Sequence, residues 1–217
     1  LSENGPSLLS ASARRSLDGI ELREWSRIAD DVQDERVRLA NRLRQQLLRY
    51  YPQILELADD IANDWFLDLW CLVPTPKDAA RAREKTVAKL LIEARIRRFD
   101  AAHVLTTLRQ KPLTVAPGTT EAAKAHIETL AERLRLVNRQ LKEAHRRLDA
   151  LTSDLVAEES EPGQKCEQRD VDILRSLPGV GRIVLATLLA EASQPLAARD
   201  YQALRTLCGV APVTRNS

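Results

Sequence analysis

The chain is predicted to be mainly α, with long helices forming a coiled-coil segment and then a small helical domain carrying a helix-hairpin-helix. Three observations lead there. Apolar residues recur at steps of three and four over long stretches, the period of a helix face. Glycine occurs 7 times and aromatics make up 4% of the 217 residues, which disfavours a β-sandwich or barrel. Near the end, two apolar runs flank Pro178-Gly179-Val180-Gly181. There proline stops one helix, and the glycines allow positive φ or close backbone approach.

In chain order, residues 1–19 are rich in Ser, Gly, Asn and Pro and read as a flexible segment. Residues 20–157 form the helical and coiled-coil region. A long helix is predicted over 20–51, with Trp25, Val32 and Leu39 on one stripe and Leu22, Ala29, Leu43 and Tyr50 beside it. Arg36 interrupts the seam, and Arg38, Arg42, Arg44 and Arg49 make the other face basic. Those arginines either pair with acids on a solvated face or hold phosphate.

Pro52 ends that helix, and a second helical face is predicted over 54–73, with Trp65, Phe66 and Trp70 as core or interface anchors. Acidic pairs such as Asp30-Asp31 and Asp59-Asp60 are placed in helices, solvating a face. After Pro74-Thr75-Pro76, residues 77–99 read as a short helical unit with Arg81, Arg83, Lys85, Lys89, Arg95, Arg97 and Arg98. Another short helix follows over 100–110. The pair fits a DNA-reading helix-turn-helix, or a knob that touches RNA or phosphate.

Thr120 is the expected N-cap of the clearest element. From Ile127 through Leu130, Leu134, Val137, Leu141, Ala144, Leu148 and Leu151 to Leu155 a heptad seam is sustained. Asn138 is expected outside it. Its partner is the earlier long helix or a second copy, unless it is an arm packed within one domain. His126 and His145 read as surface or seam residues rather than ligands. Residues 158–170 are an acidic linker, and 171–217 carry the hairpin, whose turn can aim helix-terminal amides at an anion. Segment 192–196 turns the chain, a short helix spans 200–207, and Gly209 suits its C-terminal cap.

A net charge of +2 does not mark a nucleic-acid binder, so such a role rests on local clusters. Cys71, Cys166 and Cys208 lack metal spacing and fit reduced thiols packed as small hydrophobes in a cytoplasmic protein. No apolar run reaches the ~18 residues of a membrane span. The lack of methionine, and an end at Ser217 without a helix stop, suggest a piece of a longer protein.

Several segments resemble a bacterial insertion-sequence transposase family, the IS116/IS110/IS902 type. They are Leu177-Pro-Gly-Val-Gly181, Ala186-Thr-Leu-Leu-Ala-Glu191, Cys208-Gly-Val-Ala-Pro-Val-Thr-Arg-Asn-Ser217, Glu35-Arg-Val-Arg-Leu-Ala-Asn-Arg-Leu43, Leu72-Val-Pro-Thr-Pro76 and Arg133-Leu-Arg-Leu-Val-Asn-Arg-Gln-Leu141. The resemblance implies a RuvC-like Asp-Glu-Asp-Asp nuclease domain that uses Mg2+, and a serine domain guided by a bridge RNA. It implies a serine nucleophile, matched by Ser217, with Arg215 supporting the phosphate. It implies DNA and guide RNA as partners, and a homodimer or higher homo-oligomer through the coiled coil. Pro178, Gly179, Val180, Gly181, Arg182, Arg38, Arg42, Arg95, Arg97 and Arg98 are the candidate nucleic-acid contacts. Residues 1–19 hold no match to the carboxylate motif, so the piece is expected to be inactive alone, without the metal site. The alternative is a non-catalytic helix-hairpin-helix module, dimerised by a coiled coil, that binds nucleic acid.

Overall fold

The structure, a computed structural model, describes residues 11–158 and 170–210. Among them every regular element is helical and no strand occurs, as the periodicity predicts. The chain divides into two compact units: Val32–Leu141, and a second drawn from the segments up to Asp31 and from Lys142 onward. The long helices α1 (Ala11–Leu48) and α6 (Thr119–Glu158) contribute to both. Helix α1 starts at Ala11, inside the stretch read as flexible, where Ala11-Ser-Ala-Arg-Arg15 suits a helix. The acidic stretch 159–169 lies outside the described residues.

In the Val32–Leu141 unit, Leu39, Leu43 and Leu47 of α1 share one core with Ile127, Leu130, Leu134 and Val137 of α6. The seam is therefore filled from within the chain, by the earlier long helix among others. The predicted single helix over 54–73 is instead a 3-10 turn, Pro52–Leu57, and helix α2, Asp64–Leu72. The break holds a reason: residues 58–63 bend so that Asp60 meets Arg36 at 2.6 Å. Asp60 thus sits in a loop and binds a cation, rather than solvating a helix face. Arg36 also donates to Asn138 Oδ1 at 2.9 Å and to Asn63 at 3.3 Å. Asn138 is buried, not outward-facing, and its amide donates to Ala62 O at 2.8 Å and Asp64 Oδ1 at 2.7 Å.

Helices α3 (Pro76–Arg81), α4 (Glu84–Glu93) and α5 (Ala101–Leu108) complete this unit. Trp70 and Phe66 are buried core anchors. Trp70 Nε1 donates to the Tyr50 hydroxyl at 3.0 Å, which donates onward to Pro74 O at 2.8 Å. Burial pushes the Tyr50 hydroxyl up to about 12, so it acts as a neutral donor at any ordinary pH. Cys71 and Cys208 are exposed, not packed as small hydrophobes; Cys166 lies outside the described residues.

The other unit is built on α8 (Arg182–Glu191), whose Ala186 and Ala190 pack on Leu22 and Ala29 of α1 and on Ala144, Leu148 and Leu151 of α6. Alanines on all three helices permit close approach. Helices α7 (Asp170–Ser176), α9 (Ser193–Ala197) and α10 (Tyr201–Leu207) surround it. The predicted turn at 192–196 winds into α9 because Pro195 occupies its first turn, where no amide donor is needed. Among the described residues no helix is long and apolar enough to cross a membrane.

Replacing Asn138 with Ala is expected to cost about 2–4 kcal/mol, because Arg36 and Asp64 each lose a partner. Urea unfolding read by Trp65 and Trp70 fluorescence, in a Trp25→Phe background, measures it. An unchanged midpoint would show that the network does not hold this unit together.

Candidate nucleic-acid interface

Leu174 and Val171 anchor α7 against Leu185 of α8, and the turn between them is tight. Leu177 donates to Leu174 O, Val180 to Leu177 O at 3.2 Å, and Gly181 to Gly179 O at 3.1 Å. Gly179 holds φ at +88°, a region where a side chain costs about 1 kcal/mol. Gly181 does not: its φ is −82°, and a Cβ there would meet nothing within 4 Å. Open space therefore lies beside this residue, in front of α8.

The next three amides, Arg182 to Val184, precede the first bond of α8, which Leu185 donates to Gly181 O. No side chain caps them. Pro178, Gly179 and Arg182 are exposed and Val180 is half-buried. Arg182 is tethered to Asp149 at 3.2 Å, an exposed pair worth under about 1 kcal/mol that a phosphate can displace. His145 is close enough to feel both charges; burial first, then Arg182, hold its imidazole below the ordinary 6.5.

The predicted arginines divide. Arg38 and Arg42 lie one turn apart on α1, exposed and without any acidic partner among the described residues. Arg97 is likewise exposed and unpaired. Arg98, by contrast, is committed to the fold: it bonds Asp59 at 2.9 Å and Leu57 O at 3.1 Å, and its guanidinium lies 4.8 Å from the Phe99 ring centroid. Arg95 follows α4 at φ +57°, in the place glycine usually takes. The Ile96 amide reaches Leu91 O at 2.8 Å and the Arg95 amide reaches Ile92 O at 3.0 Å, closing the helix end around it. These arginines belong to the Val32–Leu141 unit and the turn at 178–181 to the other. Arg215 and Ser217 lie outside the described residues. The sequence did not single out Lys124, which is half-buried and outside any ion pair among the described residues, beside Arg81 and Arg83; its one signal was a lysine near the apolar start of the seam.

Arg95→Gly is expected to raise stability by about 1 kcal/mol by relieving the left-handed backbone. Urea midpoints compared with Arg95→Ala, which keeps the strain, check this; equal midpoints for the two variants count against it. For His145 the unfolded chain binds more proton between its lowered value and 6.5, so stability falls as pH drops through that window and is full above it. His145→Gln should flatten that part of a pH–stability curve, and an unchanged slope would assign it to other groups.

Residues 171–217 match the family described as Transposase IS116/IS110/IS902. The chain is also similar to "Putative transposase y4uE" of Sinorhizobium fredii (strain NBRC 101917 / NGR234), 65% identical over 82 residues. That match covers 38% of this chain and 23% of the relative, so the chain spans about a quarter of the relative's length. No solved structure matches. Over residues 171–217, the chain is similar to the transposase domain of the IS116/IS110/IS902 family.

Proposed function

We propose that this chain is the nucleic-acid-gripping part of a DNA transposase that cuts and rejoins DNA through a serine. The observation that carries the reading is the turn 178–182, which presents uncapped amides beside an exposed Arg182 within the family's own segment. Helix-terminal amides and one loosely held arginine suit a phosphodiester oxygen. In the other unit Arg38, Arg42, Arg95 and Arg97 are separate candidate contacts, since no side-chain acid neutralises them among the described residues.

Ser217 is the nucleophile in this reading, and Arg215 supports the phosphate it attacks. In the step, the serine hydroxyl loses its proton, its oxygen bonds to phosphorus, and the DNA alkoxide leaves and takes up a proton. Mg2+ belongs to the carboxylate domain that the resemblance implies. Among the described residues no three His, Cys, Asp or Glu side chains could hold a metal ion together. DNA and a guide RNA in the cytoplasm are the partners. A homodimer or higher homo-oligomer through the long helices belongs to the same reading, with the faces outside the filled seam as its surface.

The test is binding of the 217-residue chain to duplex DNA and to structured RNA over a salt series. Affinity should fall steeply with salt, by a slope of about −0.9 per neutralised phosphate on duplex. Gly181→Val should weaken binding about tenfold or more while helix content stays unchanged, because the side chain fills open space where the phosphate would approach. Wild-type affinity in a folded Gly181→Val chain would remove the hairpin from the interface. Binding retained without a phosphoserine adduct, in a protein that includes both flanks, would instead favour the non-catalytic binding module.

A further inference from the structure

The Val32–Leu141 unit contains an open concavity of about 400 Å³, formed by the end of α2, helix α3, the first turn of α4 and the start of α6. Its lining includes the apolar Leu72, Pro74 and Ala82. It also includes the cations Arg81, Arg83 and Lys124. The side chains of these three make no hydrogen bond or ion pair to another described residue, and Lys124 is half-buried. Arg83 is also the N-cap residue of α4, and its side chain caps nothing there. Three cations outside any ion pair among the described residues, outnumbering one carboxylate, line one space with the first turn of α4. Like charges so placed repel one another, and an oxyanion relieves that repulsion.

The volume is larger than a phosphate needs and suits a sugar phosphate with part of a base. The one anionic lining group refines the choice. Asp78 accepts from the Thr75 hydroxyl at 2.6 Å through Oδ2, and Thr75 Oγ1 in turn accepts the Asp78 amide at 3.2 Å. The carboxylate is thus held in place, while Oδ1 has no partner among the described residues. A fixed carboxylate oxygen repels phosphate but accepts from a hydroxyl, the role an acidic residue plays toward a ribose 2′-OH.

We infer that this concavity binds a ribonucleotide unit, with its phosphate on Arg81, Arg83 and Lys124 and its 2′-hydroxyl on Asp78. The sugar ring lies on Leu72 and Pro74. The same chemistry is offered by a free mononucleotide and by an unpaired stretch of RNA. The inference stands on the concavity alone and does not need the hairpin turn or the serine.

The test titrates the 217-residue chain with AMP, with a short oligoriboadenylate and with its deoxyribose counterpart, by isothermal calorimetry. Tight binding of AMP alone names the free nucleotide as the source; an oligomer bound about tenfold tighter names the strand. The Arg83→Gln/Lys124→Gln double variant should lose about tenfold or more in affinity with helix content intact. Asp78→Asn should bring ribose and deoxyribose ligands toward equal affinity. Equal affinity for the two sugars in the wild-type chain, or a folded double variant that binds as the wild type does, overturns the inference. Should Gly181→Val abolish duplex binding while the double variant changes nothing, the inference fails and the transposase reading stands. Should duplex DNA not bind while the double variant still lowers ribonucleotide affinity, the reverse holds.

Discussion

The guanidinium of Arg36 sets the terms for the unit Val32–Leu141. Only 15% of its side chain is exposed, and a buried cation costs several kcal/mol unless its donors are met. Asp60, Asn63 and Asn138 meet them. Two of those partners are tied in turn: the Asp60 carboxylate also accepts the Ala62 amide, and Asn138 also holds Ala62 O and Asp64. The segment before α2, the start of α2 and one turn of α6 therefore have a single arrangement around α1. An all-apolar seam would bury more surface but would tolerate a slipped register; the polar network does not.

That constraint separates two kinds of arginine. Arg36, Arg98, Arg109, Arg133 and Arg135 bond carboxylates or backbone oxygens within the same unit. The side chains of Arg38, Arg42, Arg95 and Arg97 do not, and neither do those of Arg81 and Arg83. A count of basic residues treats all of them alike. An arginine already bonded to an acid must break that contact before it can hold phosphate, so Arg98, the most heavily engaged of the candidates, is the weakest. The unpaired ones keep their full charge for a ligand, screened only by salt.

In the other unit, packing rather than polarity does the positioning. Ala186 and Ala190 let α8 approach the alanines of α1 and α6, and Arg23 donates to Ala190 O at 3.0 Å at the far end of the helix. Arg147 binds Glu21 at 2.6 Å and holds that carboxyl below its ordinary value. With its C-terminal half so fixed, α8 leaves its first turn uncapped behind the glycine turn. The domain's final described turn closes as the sequence suggests: Gly209 takes φ +69°, and the Val210 amide reaches Arg205 O at 3.0 Å.

Periodicity and punctuation alone determined the helical class, the two long helices, the seam residues from Ile127 to Leu151 and the turn at 178–181. Those signals are local, because a helix face repeats along its own chain and proline and glycine act on their own backbone. Partnership is not local. Whether the seam met α1 or another copy, whether Asn138 faced out or in, and whether Asp60 belonged to a helix depended on groups far away in sequence. So did the division of the arginines, since an arginine and its acid can be tens of residues apart, as Arg98 and Asp59 are. The concavity around Lys124 exists only where α3, α4 and α6 are assembled. Tertiary structure alone decided these points, because the charge, burial and open space around a side chain are properties of its neighbours in space.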